Sequence, residues 1–82
     1  MHEERFINLG VRISYFRKLR GYTQEQLAER IDKSIVHLGA VEAPHMAYPI
    51  SLQTLFDIAD ALDIPPYKLL YFEEDQCLPY SK

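Results

Sequence analysis

From Glu3 to Arg20 the apolar residues Phe6, Leu9, Ile13, Phe16 and Leu19 return at steps of three and four. That spacing lines them along one stripe of an α-helix and leaves no alternating run from which a strand could be built. Gly21 stands where a helix C′ residue adopts the left-handed conformation. Thr23 with Gln26 three residues on matches a capping box, so a second helix is expected from about Gln24 to Arg30, with Leu27 and Ile31 inward and Ala28 small enough for a close helix neighbour. Asp32-Lys33-Ser34 is a short polar break, and Ser34 can cap a third helix running to about Glu42 on Leu38 and Val41. Pro44 and Pro49 deny amide hydrogens to any continuation. Ser51 then caps a fourth helix, where Leu52, Leu55, Ala59 and Leu62 keep the step and Phe56 and Ile58 widen the stripe. Pro65-Pro66 suits the first turn of a short fifth helix with Leu69, Leu70 and Phe72. The expected fold is all-α, a compact five-helix domain over residues 1–72, followed at 73–82 by an acidic and aromatic tail that is loosely ordered or a dimer contact.

At 82 residues the chain holds one domain and one small core. A hydrophobic share of 48% and a charged share of 26% exclude a disordered tail, and no run reaches the length of a membrane span. The opening segment Met1-His2-Glu3-Glu4-Arg5 is acidic, so no export leader is expected. One cysteine, Cys77, allows no internal disulfide, which points to a reducing cytoplasm; its plain reading is a spare thiol near a loose terminus.

The net charge of −3 hides an asymmetry: residues 1–40 carry seven Lys/Arg against five Asp/Glu, and residues 41–82 two against seven. Arg12, Arg17, Lys18 and Arg20 cluster without an intervening acid. A solvated helix face is the commoner explanation of such a cluster, and contact with a phosphate backbone is the functional one. The overall sign predicts weak non-specific attraction to nucleic acid.

Two short helices joined by a three-residue break, the second with a hydroxyl cap, form the helix-turn-helix arrangement in which the second helix enters the DNA major groove. Around it stand Ile13 and Arg17 in the first helix, Thr23-Gln24-Glu25-Gln26-Leu27-Ala28 opening the second, Glu42 four residues after Leu38, and a fourth helix with Leu52, Thr54, Leu55, Ile58, Ala59, Ala61 and Leu62. On these residues the stretch from about Leu9 to Leu70 resembles the lambda-repressor-like, Xre/Cro-type DNA-binding domain of bacterial and phage regulators. The first-turn amides after Thr23 can hold a phosphate oxygen, with the Gln24 side chain as an added donor; Thr23 also serves simply as a cap. The resemblance implies a partly buried, structural ion pair between Arg17 and Glu42.

On matching positions the third-helix residues facing base edges are Ser34, Ile35, Val36, Gly39 and Ala40, with His37 turned nearer the core or a phosphate. The family commonly places Arg, Gln, Ser or Asn there. Ile35, Val36 and Ala40 can only pack on thymine methyl groups, and Gly39 permits close backbone approach, so base readout is expected to be modest and T-rich, with DNA shape contributing more. The loop after Glu42 is two residues longer than usual and offers a phosphate only His45, which as a lone loop histidine is more often just solvated. Asp32 replaces the Gly usual at the end of the second helix and tolerates the left-handed conformation.

The function expected is a sequence-specific DNA-binding transcriptional regulator, a repressor, binding double-stranded DNA as a homodimer on an inverted repeat with half-sites about 34 Å apart. Tyr67, Tyr71, Phe72, Leu78 and Tyr80 exceed what a five-helix core requires and are candidate dimer contacts. The alternative is a protein-binding module or an antitoxin whose apolar third helix meets a partner protein. No enzyme, metal or cofactor is expected: His2, His37, His45 and Cys77 lack paired ligand spacing, and small helices offer no deep pocket.

Overall fold

A computed structural model describes residues 2–72, and the expectations for the 73–82 tail, including Cys77, Leu78 and Tyr80, lie outside the described residues. The elements are α1 (Glu3–Leu19), α2 (Gln24–Arg30), α3 (Ile35–Glu42), α4 (Leu52–Leu62) and α5 (Tyr67–Leu70), an all-α domain with no strand among the described residues. None of these helices is long and apolar enough to cross a membrane.

Three helices begin on hydroxyl caps. Thr23 accepts from the Gln26 amide while the Gln26 side chain accepts from the Thr23 amide, a complete capping box. Ser34 accepts from the His37 amide and Ser51 from the Thr54 amide. The chain reverses after α1 at Gly21, with φ +82°, and leaves α2 and α4 through two aspartates in the left-handed region, Asp32 at φ 60° and Asp63 at φ 58°. The Lys33 amide returns to the Ala28 carbonyl and the Ile64 amide to the Ala59 carbonyl, closing both helix ends.

The core is built from Leu9, Ile13, Phe16, Leu27, Ala28, Ile31, Leu38, Val41, Leu55, Ile58, Ala59, Leu62, Ile64 and Leu69. Leu19, Leu52, Phe56 and Leu70, counted by period as stripe residues, are instead exposed. They lie at the margins of their stripes, where a helix of this size has no neighbour to cover them.

Gly10 carries a constraint the period does not reveal. A Cβ at this position would sit on the Val41 carbonyl oxygen and 3.1 Å from its carbonyl carbon, so α1 and α3 cross backbone to backbone here. The crossing fixes α3 against the longest helix of the domain.

Three of the four clustered cations are fasteners. Arg12 donates from Nε to the Lys68 carbonyl at 2.7 Å, holding α5. Arg20 donates from Nε to the Leu62 carbonyl at 2.7 Å and from Nη2 to the Asp63 carbonyl at 3.0 Å, placing a cation on the carbonyl end of α4, where the helix dipole favours it. Arg17 is buried and belongs to the site below.

Candidate nucleic-acid interface

The helix-turn-helix pair α2–α3 is fixed to α1 by one polar knot. Arg17 Nε donates to Glu42 Oε2 at 2.8 Å and Nη2 to Oε1 at 3.0 Å, while Nη1 donates to the Tyr22 carbonyl at 2.7 Å. Gln24 Nε2 adds a third donor to the carboxylate, reaching Oε1 at 3.0 Å. Arg17 and Glu42 are both buried, and the fork geometry of guanidinium on carboxylate satisfies charges that would be costly to bury alone. The knot spans the end of α1, the start of α2 and the end of α3, so it sets how far α3 stands out from the domain.

Gln24, read from the sequence as a donor toward phosphate, spends one N–H on Glu42 and lies with its amide oxygen 3.8 Å from where a Gly39 Cβ would be. It therefore bridges the opening of α2 and the middle of α3. Thr23 Oγ1 is occupied by the Gln26 amide, which leaves the Gln24 and Glu25 amides of the first turn of α2 as donors with no partner inside the helix.

Along α3, Ser34, Ile35 and Val36 are exposed, Val36 most of all at 79%, and Gly39 and Ala40 are half-buried beside them. His37 is not on that outward face. Its ring meets Tyr48 edge-on, with centroids 5.2 Å apart, and Nδ1 lies 3.3 Å from the Tyr48 hydroxyl. His37 Nε2 is buried with no hydrogen-bond partner among the described residues. The long loop after α3 is thus anchored on α3 through Tyr48, a contact between residues 11 apart that no local sequence signal announces. His45 is exposed in the turn where the Met46 amide returns to the Ala43 carbonyl, away from the His37–Tyr48 anchor.

One surface went unnoticed in the sequence. A groove runs between α1 and α3, lined by Ser14, Tyr15 and Lys18 from α1, by Gly39 and Pro44 from α3 and the loop after it, and by Gln24 from α2. Only the crossing angle set at Gly10 brings these α1 residues beside the outward face of α3.

A helix-turn-helix family model matches residues 13–69. Among solved structures, the restriction-modification controller protein C.AhdI from Aeromonas hydrophila is 31% identical, with 78% of this chain and 94% of that one covered at a TM-score of 0.71. The hypothetical transcription factor NHTF from Neisseria is 25% identical, with 93% of this chain and 83% of that one covered at a TM-score of 0.78. No match to the chain was found among curated proteins.

Proposed function

We propose, from the premise that this chain belongs to the lambda-repressor-like helix-turn-helix family and is a DNA-binding transcriptional regulator rather than an enzyme, that it is a cytoplasmic repressor binding an inverted repeat as a homodimer. The observation that carries the reading is the exposed face of α3, held outward by the Arg17–Glu42–Gln24 knot. Ser34, Ile35, Val36, Gly39 and Ala40 meet base edges, with Ile35, Val36 and Ala40 packing on thymine methyl groups. Thr23, Gln24 and the first-turn amides of α2 meet the phosphate chain, and His45 adds a contact from the loop. His37 contributes by fixing that loop through Tyr48 rather than by touching DNA.

One domain of this size makes few contacts, which supports two copies on half-sites about 34 Å apart. The exposed Tyr67 and Tyr71 at α5, together with the 73–82 tail, are the proposed contact between copies. The likeness to a restriction-modification controller supports a regulator. The test is a gel shift at low salt with fragments from around the chain's own coding region. A discrete complex protecting two half-sites is expected, and no retardation at micromolar protein refutes the reading.

The exposure of Ile35 and Val36 favours a second reading, a module or antitoxin whose α3 binds a partner protein. A partner that competes with DNA for α3 would establish it.

A further inference from the structure

The cations of the first forty residues differ in what they are attached to. Arg12 and Arg20 are spent on carbonyls of α5 and α4, Arg17 on Glu42 and the Tyr22 carbonyl, and Arg30 lies over the Tyr22 ring at 4.7 Å. Lys18 and Lys33 differ: both are exposed and make no side-chain hydrogen bond or ion pair among the described residues, and of the two only Lys18 lines the α1–α3 groove, together with Gln24 and Gly39. The one anion of that groove, Glu42, has both oxygens taken by Arg17 and Gln24. With Arg17 cancelling Glu42, Lys18 leaves the groove net positive. Its other walls, at Tyr15 and Pro44, are apolar, with the Ser14 hydroxyl between them.

We propose that this groove seats the sugar–phosphate chain of the bound duplex, with the Lys18 ammonium pairing one phosphate and the apolar walls receiving the adjoining deoxyribose. The proposal rests on the regulator reading and adds to it a second contact strip, on α1. Three features select this occupant. One uncompensated cation beside apolar walls suits one phosphate and its adjoining sugar. Gln24 and Gly39 line the groove as well, so a strand touching the start of α2 lies at its border. A cation to which no anion is paired among the described residues also keeps its charge for the ligand.

The test is the salt dependence of operator binding, measured by fluorescence anisotropy for the wild-type chain and for Lys18→Gln, Lys18→Arg and Lys68→Gln. Lys68 is also exposed but stands on α5, outside the groove. Each phosphate pairing adds roughly 0.9 to the slope of log affinity against log salt. Lys18→Gln is expected to lower that slope by about 0.9 per bound chain and to weaken binding about fivefold to tenfold near 0.1 M salt. Lys18→Arg should restore the slope and Lys68→Gln should leave it unchanged. A wild-type slope in Lys18→Gln, or an equal loss in Lys68→Gln, overturns the contact while the regulator reading stands. A wild-type chain that retards no DNA overturns both.

Discussion

The Arg17 guanidinium lies side-on against the Glu42 carboxylate, two parallel N–H donations at 2.8 and 3.0 Å between residues 25 apart in sequence. Both groups are buried, and Gln24 donates to the same carboxylate. Taking away one partner strands the other charge in the interior, whereas taking away both leaves a cavity that apolar side chains can fill. Arg17→Met or Glu42→Leu alone is therefore expected to cost about 3–5 kcal/mol. The double variant should lose clearly less than the sum of the two. Urea melts of the four proteins measure the coupling, and strict additivity would show that the pair is not the unit described.

Gly10 and Gly39 predict opposite responses to the same change. Gly10→Ala drives a methyl group into the Val41 carbonyl and forces α1 from α3, an overpacking cost of about 1–3 kcal/mol. Gly39→Ala meets only the Gln24 amide oxygen at 3.8 Å, an ordinary contact, and should gain about 0.5–1 kcal/mol from helix propensity. Thermal melts separate them, since each kcal/mol moves the midpoint by roughly 4–8 °C in a domain of this size. If Gly39→Ala stabilises the fold yet weakens operator binding, close backbone approach to DNA at that position follows.

These residues mark where the sequence was legible and where it was not. Periodicity and hydroxyl caps depend on near neighbours, which is why α1 to α5 and the roles of Thr23, Ser34 and Ser51 could be read from spacing alone. The width of an apolar stripe depends on whether a second element arrives, so Leu19, Leu52, Phe56 and Leu70 looked internal and are not. Gly10 leaves no signal in the periodicity because its purpose lies 31 positions away, at Val41. The arginine cluster looked like a solvated face because carbonyl acceptors leave no trace in a sequence. For the candidate site, the order Ser34 to Ala40 gave the outward face, but the removal of His37 to Tyr48 and the approach of Lys18 to Gln24 both depend on tertiary placement.

Arg20 and Lys18 carry the same charge on the same end of the first helical segment and should behave differently. Arg20→Ala removes donations to the Leu62 and Asp63 carbonyls and exposes the end of α4 to fraying, at a cost of about 1–3 kcal/mol. Lys18→Ala removes no hydrogen bond or ion pair among the described residues and should stay within about 0.5 kcal/mol. Equilibrium denaturation measures both. A loss in Lys18→Ala matching that of Arg20→Ala would mean that charge at the end of α1, rather than the two carbonyl bonds, stabilises the fold.

Val36 offers the most direct examination of base readout, because at 79% exposure its side chain holds nothing together. Replacing it with Gln should leave the melting temperature unchanged, since the straight-chain amide is at least as good a helix former as valine. In the bound complex the same amide gains the capacity for paired hydrogen bonds to adenine, a discrimination worth about 1–3 kcal/mol per position, whereas valine can reward only a thymine methyl. Selection of binding sites from a randomised duplex library by the wild-type and Val36→Gln chains should therefore return different preferences at one position per half-site, shifted from thymine toward adenine. The flanking, shape-dependent positions should stay the same. Identical site rankings from the two chains, with affinity unchanged, would place Val36 outside the groove and remove α3 from the role assigned to it.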